Sequence, residues 1–398
     1  MDLLPKTLGT RPRLAIELRP EGVVAARAED AQATLSAISF GGLGDGAIVP
    51  GLKAGNLSAR AETVAAVKKA LEAVALKERQ TTLVLPDAAV RVLLLDFDQL
   101  PAKAEEALPV VRFRLKKLLP FDADDAIVSY QVMSSTKAGV RVLAVAVPRE
   151  VLAEYESVVR DAGFEPGAVL PSTLAACAGL DESDTPVLLV NAGETGVTTA
   201  IVQSGVLVLH RTVDLAAHAL EETLEAAAAE PPDTAFVVPA ELLAHPEDAV
   251  SMPGVIPVLP LVNVEETSGE WAMQQPVNGY GVVDEHSVDH RELPAGVLEA
   301  ARQPTHDEKM TAAAREVTQA VSVAAAYFED TLVASPGVVL SAGTLGAEAL
   351  GGLLRYAGVG GAAMRVSEMV EPSMLSGGAL TTRLPYGWMA GVRGALRS

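Results

Sequence analysis

The chain has 398 residues, enough for two or more domains, with 49% hydrophobic residues, only 4% aromatic residues and a formal net charge of −20. A core of that composition rests on Ala, Val and Leu, and a field of that sign repels DNA, RNA and anionic lipid, which excludes them as main ligands. A single cysteine, Cys177, excludes an intrachain disulfide and a thiolate metal site, and no run of about 18 apolar residues marks a membrane span.

The opening "MDLLPKTLGTRPR" lacks the long apolar core of a signal peptide, and residues 1–13 are expected as a flexible leader. Residues 14–17, 23–27 and 34–40 predict three short strands, separated by "RPEG" and "AEDA". Residues 58–79 carry an Ala/Val/Leu stripe at helical spacing with Ser58 at the N-cap, and "QTTLVLPDA" reads as a buried strand ending in a turn. These elements make a first lobe over 14–89. A different module follows over 90–170, in the order strand, helix, strand, strand, helix, strand. Its first helix, "AKAEEALPVVRFRLKKLLP", is expected to be interrupted at Pro109, with its first part a separate turn.

The opening order then recurs about 170 residues later. Residues 187–191, 197–203 and 206–212 predict three strands joined by "AGETG" and "SG", followed by a helix over 214–229 and a strand at "TAFVVP". This is an internal repeat of large period, and it opens a second lobe over 171–398. Within that lobe 240–308 is acidic, rich in Pro and without period, so loops with short strands are expected. A long helix begins near Lys309, "VVLSAGTLG" is a strand and glycine turn, and "AEALGGLLRYAG" is a further helix. The closing "YGWMAGVRGALRS" puts Trp388, Met389, Val392 and Leu396 near one helix face. The stretch is short and its two internal glycines weaken it as an independent membrane-surface helix.

Glycine turns between strands let backbone N–H groups approach phosphate oxygens, and a carboxylate at the strand end holds magnesium. In the second hairpin Gly193, Thr195, Gly196 and Thr198 supply such donors, but the strand ends in Asn191, an uncharged amide. The first hairpin holds Arg19, Pro20 and Glu21: proline has no N–H to give, and Glu21 puts a negative charge where a polyphosphate would sit. A third turn, at Gly343 and Thr344, leaves room for an adenine or ribose. "DEHSVDH" at 284–290 has metal-ligand residue types with no helical period to hold them, so a solvated loop is expected. The one basic cluster, "RFRLKK" (Arg112, Arg114, Lys116, Lys117), reads as a solvated helix face.

Taken together, "KKLLPFDADDAIVSYQV", "VLLVNAGETGVTTAIVQSGVL", "EVTQAVSVAAAYFED", "VVLSAGTLG" and "MAGVRGAL" resemble the actin-like ATPase superfamily, in its PilM branch of type IV pilus assembly, with FtsA more distant. The resemblance implies an α/β, duplicated ribonuclease-H-like (actin-like) two-lobed fold with an inserted α+β subdomain. It implies a cytoplasmic protein at the inner face of the inner membrane, docked on the N-terminal tail of a PilN-like membrane protein. The tail would lie beside the insert, around Arg114, Lys117, Phe121 and Tyr130. ATP and magnesium are the superfamily's cofactors. Here Glu17, Arg19, Pro20, Glu21 and Val24 stand in place of its Asp-x-Gly start, small residues and Lys, and Asn191 and Ala342 replace an Asp and a Gly. Those departures argue against ATP hydrolysis and for a scaffold with weak or degenerate nucleotide binding. The alternatives are an ATP-binding enzyme of the sugar-kinase type, an FtsA-like division protein or a type II secretion component. Self-association stays open.

Overall fold

A computed structural model describes residues 12–215, 312–334, 336–359, 364–376 and 384–397. The chain divides into two compact units, 1–230 with 304–398, and 231–303; the second falls outside the described residues. The helix read at 214–229 (except for residues 214–215), "TAFVVP", all of 240–308 with "DEHSVDH", and nearly all of the leader also lie outside them; Asp214 is strand.

In the first lobe, β1 (Leu14–Arg19), β2 (Gly22–Ala28) and β3 (Leu35–Gly42) form an antiparallel meander, with β4 (Gln80–Leu85) and β8 (Glu165–Pro171) parallel on the other side of β1. The sheet order is β3-β2-β1-β4-β8. The second lobe repeats it: β9 (Val187–Ala192), β10 (Gly196–Gln203) and β11 (Val206–Asp214) make the meander, and β12 (Val338–Ala342) and β13 (Arg365–Glu368) complete β11-β10-β9-β12-β13. The duplication is therefore one of topology as well as pattern. The strand paired in parallel with β9 is β12, as β4 is with β1. The helix packed on that sheet is α5 (Ala312–Leu332), which buries Ala313, Val317, Val321 and Phe328 against Leu188, Val190 and Ile201.

The module between the lobes also divides. Strand β5 (Arg91–Phe97), helix α2 (Ala104–Leu115) and strands β6 (Ala126–Thr136) and β7 (Gly139–Pro148) form a separate three-stranded sheet, β5-β7-β6. Helix α3 (Arg149–Asp161) and β8 instead join the first lobe: Val151, Tyr155, Val158 and Val159 pack with Leu14, Ile16 and Leu83, beside α1 (Arg60–Val74). Two local expectations give way. Ser58 does not cap α1, whose N-cap position is Ala59, and α2 runs through Pro109 without a break. The register of Val111 and Leu115 on the insert sheet holds that helix across the missing N–H.

Strand alternation decides what meets between the lobes. On β1, Leu14, Ile16 and Leu18 face α1 and α3, so Ala15, Glu17 and Arg19 face the other way. On β9, Leu188, Val190 and Ala192 face α5, so Leu189 and Asn191 face back. Between these surfaces lie α4 (Ser172–Ala178) and the C-terminal helix α7 (Ala390–Leu396), in one core with Ala15, Val24, Leu189 and Ala200. Trp388, just before α7, is buried with its ring edge-on to Phe40, centroids 4.9 Å apart. The glycines that weaken α7 as a free helix are what let it fit. A Cβ at Gly391 would run into the Glu17 carboxylate, and one at Gly394 into the Ala175 carbonyl. Between β12 and β13 in the chain comes α6 (Ala347–Tyr356), which buries Leu350, Leu353 and Leu354 in the core of the second lobe.

Candidate functional site

Where β1 and β9 face one another, a closed polar network joins the lobes. Arg19 donates from Nε to Glu17 Oε1 (2.7 Å) and from Nη2 to Ser172 Oγ (2.7 Å) and Asn191 Oδ1 (3.0 Å). Ser172 Oγ donates in turn to Glu17 Oε1 (2.6 Å) and accepts from Asn191 Nδ2 (2.9 Å). The Asn191 amide also donates to Thr173 Oγ1 (2.9 Å), and Asp87, in the turn after β4, accepts from the Thr173 backbone N–H (3.1 Å) and hydroxyl (2.5 Å). Glu17 is fully buried and Arg19 is 8% exposed. Burial pushes the Glu17 carboxyl up, against the pull of the Arg19 guanidinium. Burial likewise works against the Arg19 charge, and Glu17, Glu21 and Asp87 together outweigh it, so Arg19 stays charged.

The turn of the first hairpin reaches further. Glu21 Oε1 accepts the Glu194 backbone N–H (2.9 Å) and the Thr344 hydroxyl (2.6 Å). It lies 2.5 Å from where a side chain on Gly193 would begin, so only glycine admits it. A carboxylate of the first lobe thus sits in the glycine turn of the second, touching the late turn as well. Gly343 itself, at φ +91°, presses on the Ala192 backbone, and Gly343 N–H donates to the Gly387 carbonyl (2.9 Å). The space left is a cavity of about 40 Å³, lined among others by Glu21, Asp87, Thr195, Gly196 and Thr198. That is room for a few water molecules.

Sequence-predicted residues divide accordingly. Gly193, Thr195, Gly196 and Thr198 line this cavity, and Gly343 and Thr344 adjoin it. The structure brings all six together. Arg114, Lys117, Phe121 and Tyr130 are less unified: Phe121 and Tyr130 are half-buried against the insert core, while Arg114 on α2 and Lys117 in the turn after it are exposed. Sequence reasoning missed Ser172, Thr173 and Asp87. Asp87 follows β4, the strand beside β1, so the repeat places it near Glu17; nothing local marks the other two. Among the described residues no His, Cys, Asp and Glu cluster could hold a metal ion, and no helix is long and apolar enough to cross a membrane.

No family model and no curated protein matches the chain. Solved structures do. A chain of the PilM–PilN type IV pilus biogenesis complex aligns over 97% of this chain and 98% of its own, at 16% identity and a TM-score of 0.60. The chain has the PilM fold. The actin-like, two-lobed α/β architecture implied by the resemblance is the one found. Looser likenesses are to the cytoplasmic domain of EpsL of Vibrio cholerae, an inner-membrane component of its type II secretion system (15% identity, 55% of this chain and 75% of that one, TM-score 0.35), and to the ethanolamine utilization protein EutJ of Carboxydothermus hydrogenoformans (10%, 100% and 94%, TM-score 0.38). Neither bears on what this PilM-like chain does.

Proposed function

We propose that this chain is a nucleotide-independent actin-like scaffold of type IV pilus assembly. It works in the cytoplasm, at the inner face of the inner membrane, where it holds the N-terminal tail of a PilN-like membrane protein. The likeness in fold to a chain of the PilM–PilN complex motivates the pilus assignment. The observation that carries the nucleotide-independent part is Glu21 in the glycine turn of the second hairpin.

The residues present do not fit a magnesium-bound polyphosphate. The Glu194 N–H and Thr344 hydroxyl, the donors that such an anion would use, already serve a carboxylate of the chain. At the strand end stands the neutral Asn191, engaged with Ser172 and Thr173, where magnesium would need charge. The cavity of about 40 Å³ is far below the roughly 300 Å³ at which small-molecule pockets begin. What a bound nucleotide would do in such a fold, namely bridge the two lobes, the Glu17–Arg19–Asn191 network does from within. The tail docks beside the insert, where Phe121 and Tyr130 border its core and the Leu119–Pro120–Phe121 turn lines an open depression.

The test is calorimetry of the full chain with a PilN-type tail peptide, in the presence and absence of Mg-ATP. The expected result is saturable peptide binding of the same affinity in both. Peptide binding that requires Mg-ATP, or saturable ATP binding by the chain alone, would overturn the reading.

A further inference from the structure

We infer that the outer face of α2 is a second docking surface, and that its occupant is an acidic amphipathic helix of a partner protein. The inner face of α2 is accounted for by Ala107, Val111 and Leu115, which are buried on the insert sheet. The outer face is not. Val110 is 37% exposed and Phe113 68%, and Leu118, just past the helix end, is 49% exposed. In a chain with only seven phenylalanines, one left in water in the middle of an ordered helix needs an explanation.

The charges around it differ from those elsewhere on the insert. Arg112 is engaged, donating to the Ala123 and Ala126 carbonyls, and Lys116 is paired with Asp124 at 2.6 Å. Arg114 and Lys117 make no ion pair among the described residues, and Lys117 Nζ lies 5.9 Å over the Phe113 ring. Val110, Phe113 and Lys117 follow one another at i, i+3 and i+7, with Arg114 alongside, which is the ridge that a second helix packs against. A convex ridge of aromatic and aliphatic side chains flanked by two free cations calls for apolar residues in its partner's seam and Asp or Glu at the seam's edge.

Charge also selects among occupants. Over the segment 103–117, five Lys and Arg stand against two Glu, so a second copy would bring like charge to like charge, on top of the −20 of each chain. An anionic membrane would find only two cations here, too few to hold a protein that is acidic overall. At physiological salt the acidic remainder of the surface is screened beyond a Debye length of about 8 Å, so an acidic helix at this face meets mainly the two cations. Its apolar part is separate from Phe121 and Tyr130 of the tail site, which lie against the insert core while Val110 and Phe113 stand exposed.

The experiment places a photoreactive p-benzoylphenylalanine at position 113 of the full chain in its own cells and sequences the cross-linked peptide. A matching pair of proteins adds Arg114→Glu and Lys117→Glu. The expected product is an Asp/Glu-rich helical segment of another protein. Its yield should drop at least about tenfold on charge reversal, since two attractions become two repulsions. The charge-reversed chain should keep the melting temperature of the parent, which separates loss of this surface from loss of the fold. A cross-link to a second copy, to lipid, or to a neutral or basic segment would sink the proposal, as would no cross-link or one indifferent to charge reversal. Flotation of the purified chain with phosphatidylglycerol vesicles would count against it equally.

Discussion

Replacing Arg19 with Met leaves the fold's most buried acid without its partner. Glu17 is fully enclosed, takes one hydrogen bond from Arg19 and one from Ser172, and touches Gly391 on its other side, so water has no route to it. Removing one member of such a pair costs about 3–5 kcal/mol. At about 2–4 °C per kcal/mol for a unit of this size, the melting temperature should fall by about 6–20 °C. The penalty also has a pH signature. Burial already raises the Glu17 pKa, and without Arg19 nothing pulls it back. An acid whose folded pKa lies above its unfolded value destabilises the fold when ionised, and that destabilisation is relieved as pH falls through the folded pKa. The deficit relative to the parent should therefore shrink between about pH 8 and about pH 5, and the double variant Glu17→Gln/Arg19→Met should recover most of it. Differential scanning fluorimetry across that range is the assay. A deficit below about 2 °C, one constant with pH, or a double variant as weak as the single, would refute the account of a buried ionic contact between lobes.

Three other outcomes follow from the same geometry. Glu21→Ala strips the Glu194 N–H and Thr344 hydroxyl of their acceptor, at about 1.5–3 kcal/mol for a bond to a charged group, and hydrogen exchange at Glu194 and Thr195 should speed up while exchange in β1 does not. Gly394→Ala drives a methyl into the Ala175 carbonyl and should cost about 3 kcal/mol, whereas Gly352→Ala, in α6 with nothing nearer than an arginine tip, should gain about 0.5–1 kcal/mol in thermal unfolding. Cys177 is fully buried, and burial pushes its thiol up to about 12, so Ellman's reagent at mildly alkaline pH should find no thiol in the native chain and one after denaturation.

Much of the frame could be read before folding was considered. Period-two strands, glycine turns and the recurrence of the motif about 170 residues on gave the meanders β1–β3 and β9–β11 and the actin-like class. Glu21 was also legible as a charge in the way of a phosphate, because that inference needs only the hairpin. What the sequence concealed was pairing at long range. Arg19 and Asn191 are 172 residues apart, and Glu21 and Thr344 323 apart, with no local signal linking them. In the linear pattern Arg19 is merely a bulky residue in a tight turn, and only the opposite lobe explains it. The same holds for β12. No local pattern says that β12 pairs with β9, from which about 150 residues of chain separate it.

Glu21 has one further consequence. A nucleotide that bridges two lobes is a visitor, and its occupancy follows its concentration in the cell. Glu21 is joined to its own lobe by a single β-turn, so at the Glu194 and Thr344 donors it is a ligand of very high local concentration that never diffuses away. If the chain is the nucleotide-independent scaffold proposed above, the angle between its lobes is insulated from the energy charge of the cell, and any timing it contributes comes from the molecules that dock on it.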